Sequence, residues 1–336
     1  MDLTNKDGVP ASPAQGTGKS LPTEQSSAQE RFGLIGAGIA QSLSPRLFGA
    51  AYGEEYSYDL LDGPDFLPLW KRFLEAYRAA NVTAPYKEDA FAQVLGLARD
   101  GLGGISGPCF KIGATNLVVK TPDGIMAHNS DFTGIILSVA EAYFPDLTAT
   151  CYAHFGDRAP VKVHQFLRNE LPGLFGRRPQ ALVIGCGGAG KAAAVAAAEM
   201  GFATALMNRT HEKAQEFAAR LPEYGFIAVP TSDLRGALKE CDLVIYTPPE
   251  PMEALETLTA EDFAGEQDGF PGAPGKVLLE ANYKTPAFSG ALLDRLREGG
   301  CRYVSGRRWI LYQALAGYGL MTGRAADFSA MENILA

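Results

Sequence analysis

The sequence predicts an α/β protein of two domains, a small N-terminal αβ domain and a doubly wound parallel sheet. Three observations carry this. From Ala181 onward, short apolar runs alternate with segments of helical period, the pattern of a parallel sheet covered by helices. The first of those runs leads into a Gly-x-Gly-x-x-Gly turn and then an alanine-rich helix. Ahead of it, a separate set of strands and helices has its own punctuation at Ser44-Pro45, Pro85 and Asp123-Gly124.

Taken in order, residues 1–30 are rich in Ser, Gly, Pro, Thr and Gln. They cannot bury enough surface to offset ordering entropy, so a disordered tail is expected. The tail lacks the apolar stretch of a secretion signal, and Asp2, Asp7, Glu24 and Glu30 precede the first arginine, Arg31, which argues against a transit peptide. Phe32–Ile35 reads as a strand. Pro45 suits a first helical turn that Ser44 would cap. Tyr56–Leu61 is a strand, Phe66–Ala79 an amphipathic helix, and the segment around Val82 a strand that Pro85 interrupts. A helix over Glu88–Ala98 and a strand over Asn116–Val119 follow, the latter turning at Asp123-Gly124 into Ile125 and Met126. Helix is expected from Thr133 to Ala142. Residues 144–178 read as an extended linker, with Val163–Leu171 able to form a helix. Strands are then expected at Leu182–Ile184, Ala203–Met207, Phe226–Val229, Leu243–Tyr246 and Val277–Leu279. The helices between them include Ala189–Met200 and one capped by Thr210 that runs through Leu221. A helix over Ile310–Met321 closes the chain, and no internal repeat is present.

The length of 336 residues allows a core in each domain. A formal net charge of −8 argues against a nucleic-acid surface, and no apolar run is long enough to cross a bilayer. The five cysteines, Cys109, Cys151, Cys186, Cys241 and Cys301, are scattered with no Cys-x-x-Cys pair. They read as reduced thiols in a cytoplasm-like compartment. The four histidines are also dispersed, so no metal site is expected.

Gly185-Cys186-Gly187-Gly188-Ala189-Gly190 sits between a strand and a helix, the context that gives the Gly-x-Gly-x-x-Gly pattern its meaning. Gly185 permits the tight turn, Gly187 lets backbone approach a pyrophosphate, and Gly190 allows close helix–strand packing. The amides of a helix start there, Gly188 and Ala189 among them, suit phosphate oxygens. This is a Rossmann-like dinucleotide site. About twenty residues on, an NAD enzyme would place a carboxylate on the ribose. This chain has Asn208-Arg209-Thr210 instead, and a guanidinium pairs with a 2′-phosphate. NADP(H) is therefore expected over NAD(H).

Lys87 follows an extended, proline-braked segment, Asn81 to Tyr86, and Asp131 ends a polar turn, Asn129-Ser130-Asp131. In a cleft beside a nicotinamide, Lys87 would exchange a proton with an alcohol or ketone and Asp131 would position it. Thr83 lies four residues before the lysine.

On these residues the chain resembles the shikimate dehydrogenase family, quinate/shikimate relatives included. Ser42-Leu43-Ser44-Pro45, Asn81 to Lys87, Gly113-Ala114-Thr115-Asn116, Asn129 to Gly134, the glycine loop, Asn208-Arg209-Thr210 and Gly306 to Gln313 occur in family order over about residues 31–325. The resemblance implies that Ser42 and Ser44 bind a substrate carboxylate, and that Thr83, Asn116, Asp131 and Gln313 bond ring hydroxyls. Lys87 and Asp131 form the catalytic pair, and Thr247 belongs to the loop near the nicotinamide. It also implies a catalytic domain from residues 31–130 and 308–336, closed by the returning C-terminal helix, and an NADP domain from residues 131–307. The chain departs from the family at Gln41, Phe48-Gly49, Ser130, Thr115-Asn116-Leu117, the loop from Ile245 to Met252, and Glu280. Trp309, large for its place near the cleft, is expected to trim or stack on the substrate.

The implied activity is reversible, NADP-dependent reduction of 3-dehydroshikimate to shikimate in a cytoplasmic enzyme of chorismate and aromatic amino acid biosynthesis. The expected partner is a small ring acid, with no nucleic acid and no membrane. Quinate or an aminated shikimate is the alternative substrate. A non-catalytic ligand sensor is the alternative class, against which the presence of both Lys87 and Asp131 counts. A pathway enzyme docked on the linker is a third expectation, and monomer and homodimer both stay open.

Overall fold

The computed structural model describes residues 29–145, 159–264 and 274–336. Residues 1–28 of the expected tail, and residues 146–158 of the expected linker, lie outside them. Gln29 and Glu30 already bond to the body of the protein, the first through its side chain to the Glu54 carbonyl (2.8 Å), the second to Arg78 (2.5 Å).

The first sheet has six strands, β1 (Arg31–Gly36), β2 (Ser57–Asp62), β3 (Ala79–Val82), β4 (Gly103–Ile105), β5 (Leu117–Thr121) and β6 (Gly124–His128), in the order β2-β1-β3-β5-β6-β4. It is mixed. β1 runs parallel to β2 and β3, while β5 is antiparallel to β3 and β6. Its helices are α1 (Ser44–Tyr52), α2 (Phe66–Ala76), α3 (Lys87–Arg99) and α4 (Gly107–Ile112). α2 stops three residues before the end the sequence predicts, because Ala79 and Ala80 pair with Phe32 and Gly33 of β1. Strand pairing at the sheet centre outweighs the helix preference of alanine there.

The second sheet is wholly parallel. Its strands are β7 (Gln180–Ile184), β8 (Ala203–Met207), β9 (Ile227–Val229), β10 (Leu243–Tyr246), β11 (Val277–Glu280) and β12 (Arg302–Val304), in the order β12-β11-β10-β7-β8-β9. β10 and β11 are buried at every position. That is why they read as unbroken apolar runs rather than as an alternation. The chain reverses direction across the sheet between β7 and β10, the switch point at which such folds open a crevice. Helices α7 (Gly188–Glu199), α8 (His211–Arg220), α9 (Leu234–Glu240), α10 (Ala260–Phe263) and α11 (Gly290–Glu298) connect these strands.

Two helices join the sheets. α5 (Ser130–Tyr143) leaves the first sheet and packs on α7 and on α6 (Ala159–Phe175) of the linker region, while α12 (Gly306–Thr322) returns from the second sheet and packs along α5. The final helix, α13 (Phe328–Leu335), lies beyond the end predicted from the sequence. β4, α4 and β12 were also not expected from the sequence, being too short to show a period. Among the described residues no helix is long and apolar enough to cross a membrane.

Candidate active site

Lys87 is the first residue of α3, and its backbone is fixed by a hydrogen bond from the Thr115 amide to its carbonyl (2.9 Å). Asp131 stands in the first turn of α5 rather than at the end of a polar turn, because Asn129 caps that helix, its side-chain oxygen accepting from the Phe132 amide at 3.4 Å. A carboxylate in a first turn is favoured by the helix dipole. Lys87 Nζ donates to Asp131 Oδ2 at 2.5 Å, and the two side chains are 16% and 5% exposed. The second oxygen, Oδ1, accepts from the indole N–H of Trp309 on α12 at 3.3 Å. Residues from three distant stretches thus meet at one carboxylate.

A cavity of about 160 Å³ adjoins the pair, and Ser42, Ser44, Thr83, Lys87, Asn116 and Gln313 all line it. Asp131 reaches it only through Lys87. Asn116 spends its oxygen on the Ser130 amide (2.7 Å) and one N–H on the Ser130 hydroxyl (3.1 Å), which leaves the other N–H for a ligand. Ser44 does not cap α1. It is the first helical residue, its amide donates to the Ser42 hydroxyl (3.2 Å), and the cap position is Leu43. Thr210 holds the cap position of α8 without a side-chain bond. The phenols of Tyr58 and Tyr318 donate to Asn81 (2.9 Å) and to the Ser44 carbonyl (3.1 Å), which fixes this wall. Burial pushes the phenols of Tyr58, Tyr283 and Tyr318 above their ordinary range, so they act as neutral hydrogen-bonding groups.

Tyr283 and Lys284 also line the cavity and were missed as site residues. They leave no sequence motif of their own. The nearest signal is a lone lysine two residues before Pro286, a weak one. Lys284 has no carboxylate partner among the described residues. A larger cavity of about 900 Å³ borders Phe132, Leu315 and Phe328, and neither Lys87 nor Gln313 lines it.

The glycine loop abuts the pair. A Cβ on Gly188 would lie 3.1 Å from Lys87 Cδ, and one on Gly187 would meet nothing within 4 Å. Gly185 has φ +101°, and a Cβ there would lie 2.3 Å from the Thr247 hydroxyl. On Gly190 a Cβ would come within 1.9 Å of the Gly185 carbonyl oxygen, so only glycine allows α7 to start this close to β7. Ala189 follows in the first turn of α7. Asn208 accepts from the Cys186 amide (3.0 Å) and donates to the Thr210 carbonyl (2.8 Å), tying the end of β8 to the loop. Arg209 is exposed beside it, with no ion-pair partner among the described residues. Thr247, at the end of β10, donates to the Ile184 carbonyl (2.8 Å). The open face at Gly187, the helix start and the unpaired guanidinium fit a dinucleotide carrying a 2′-phosphate.

The profile of the shikimate / quinate 5-dehydrogenase family matches residues 174–264. A shikimate dehydrogenase (NADP(+)) from Rubrobacter xylanophilus is 30% identical over 316 residues, covering 90% of this chain and 94% of that protein. The chain belongs to the shikimate / quinate 5-dehydrogenase family. A second relative of the family, shikimate dehydrogenase (NADP(+)) from Moorella thermoacetica, is 29% identical over 90% of this chain and 91% of its own length. Among solved structures, shikimate 5-dehydrogenase from Thermus thermophilus in complex with NADP(H) and shikimate matches with a TM-score of 0.64 and 25% identity, covering 91% of this chain and 98% of that one. Quinate dehydrogenase from Corynebacterium glutamicum in complex with NAD shares the fold, with a TM-score of 0.67 at 21% identity over 91% of this chain and 98% of that one.

Proposed function

We propose that this chain catalyses the NADP-dependent, reversible reduction of 3-dehydroshikimate to shikimate. The observation that carries the reading is the Lys87–Asp131 contact of 2.5 Å at the edge of a small polar cavity, with the glycine loop packed against the same lysine. The relatives named NADP-dependent shikimate dehydrogenases support it over nearly the whole chain.

Residues 31–130 and 308–336 form most of the substrate site in this reading, joined by Asp131, Tyr283 and Lys284, and the rest of residues 131–307 hold the cofactor. Gly185, Gly187, Gly188, Ala189 and Gly190 cradle the pyrophosphate, Arg209 pairs with the 2′-phosphate beside Asn208 and Thr210, and Thr247 borders the nicotinamide end. When bound, NADPH supplies the hydride that goes to the ring carbonyl carbon. Lys87 gives an ammonium proton to the carbonyl oxygen as the C=O electron pair moves onto it, leaving an alcohol and a neutral amine. Asp131 aims that ammonium and stabilises its charge. Ser42 and Ser44 bond the substrate carboxylate, with Lys284 as the nearby cation. Thr83, Asn116 and Gln313 bond ring hydroxyls. A site built of hydroxyl-bonding groups rejects analogues that lack the hydroxyl.

The test is turnover of the purified chain with shikimate and with quinate, each with NADP and with NAD. The reading expects the highest kcat/KM for shikimate with NADP. Turnover of quinate alone, or of no ring acid at all, would refute it.

A further inference from the structure

We propose that Trp309 is a positioning residue for the Lys87–Asp131 pair, its indole N–H holding one carboxylate oxygen so that the other stays on the ammonium. The inference rests on the reaction proposed above. From the sequence, Trp309 is expected to face the substrate. In the structure its ring nitrogen instead addresses Asp131 Oδ1 at 3.3 Å, while Oδ2 takes Lys87 Nζ at 2.5 Å.

The terminal torsion of a carboxylate is soft and nearly two-fold. Held by Lys87 alone, Asp131 could exchange its two oxygens or swing toward a ring hydroxyl in the cavity. Fixing both oxygens on donors from different helices, α3 and α12, removes that freedom. The donors differ in kind. An indole N–H donates and never accepts, so Trp309 cannot take the proton that Lys87 passes to substrate. It shapes the path of the proton without joining it.

The indole is held in turn by packing. Trp309 is 3% exposed, and a Cβ on Gly134 of α5 would come within 2.8 Å of its carbonyl oxygen and 3.0 Å of its Cδ1. Trp309 and Gln313 lie one turn apart on α12, so one helix face delivers both the donor behind the pair and a cavity-lining amide.

The test uses the full chain with Trp309→Phe, which keeps an aromatic ring and removes the N–H, and Trp309→Met as a second filling of the space. Both should melt within a few degrees of the parent. The Phe variant should lose kcat by about 10-fold, the scale of one hydrogen bond to a charged group, with KM for the ring acid within twofold. Its solvent deuterium isotope effect on kcat should rise, because the proton transfer is what has been loosened. A purely structural role would raise KM and leave the isotope effect unchanged, and that result would overturn the proposal.

A readout that needs no turnover is also available. The chain has two tryptophans, Trp70 and Trp309, so an indole N–H correlation spectrum has two resonances that Trp309→Phe assigns. In Asp131→Asn the Trp309 resonance should move upfield and that of Trp70 should not. An unmoved Trp309 resonance would overturn the proposal. Absence of turnover in the parent would instead refute the proposed reaction and leave this measurement to decide the hydrogen bond.

Discussion

Replacing Gly134 by alanine sets two effects of opposite sign against each other. Gly134 lies in α5, where alanine is better than glycine by about 1 kcal/mol of helix propensity. Against this, the new Cβ would stand 2.8 Å from the Trp309 carbonyl oxygen, 2.9 Å from Gln313 Cβ and 3.0 Å from Trp309 Cδ1. Ordinary contact begins near 3.4 Å, so α12 would have to retreat by about half an ångström. The nearest obstacles are the backbone of α12 and the root of a side chain, not a flexible tip. Overpacking of this kind costs about 1–3 kcal/mol, which matches or exceeds the helix gain, and a net loss of about 0–2 kcal/mol is expected. The same retreat carries Trp309 away from Asp131 and Gln313 away from the cavity. Misplacement by 1 Å costs about 100-fold in rate, so half of that should lower kcat/KM about 10-fold. Urea unfolding midpoints and steady-state kinetics on the same preparation measure both. An alanine variant as stable as the parent, with unchanged kinetics, would refute the argument that glycine at 134 sets the approach of α12.

Three further outcomes are expected. Lys87→Met should lower kcat by about 10²–10⁴-fold, the usual contribution of a general acid, while equilibrium binding of the ring acid changes only a few-fold. Retained turnover would remove Lys87 from the chemistry. Arg209→Ala should raise KM for NADPH by about 10–100-fold and leave NADH kinetics unchanged, since the lost contact is to the 2′-phosphate alone. Equal effects on both cofactors would place the guanidinium elsewhere. Lys284→Gln should raise KM for the ring acid only about 2–5-fold, the scale of an exposed ion pair. That increment should vanish in high salt, and a variant effect independent of salt would argue against charge pairing.

What the sequence determined was local. The boundaries of β8 and β10 agree with expectation residue for residue, because each is a short apolar run bounded by turn or helix signals. The glycine loop was legible because a strand precedes it and a helix follows. Lys87, Asp131 and the cavity residues Ser42, Ser44, Thr83, Asn116 and Gln313 were named from motif spacing and family resemblance, while Tyr283 and Lys284 were not. The start of α5 was misread because Asn129-Ser130-Asp131 has the composition of a turn, and only the bond from the Phe132 amide to Asn129 makes it a cap. Tertiary structure alone decided the rest. Lys87, Asp131 and Trp309 are 44 and 178 residues apart in their two pairings, and no period in a sequence encodes such a meeting. It arises because α5 leaves the first sheet, α12 returns from the second, and a glycine at 134 lets them touch. Trp309 shows the difference most clearly. Its type and position were plain from the chain, but its partner depended on the direction of one indole N–H in a packed helix pair, and side-chain direction is fixed only once both helices are in place.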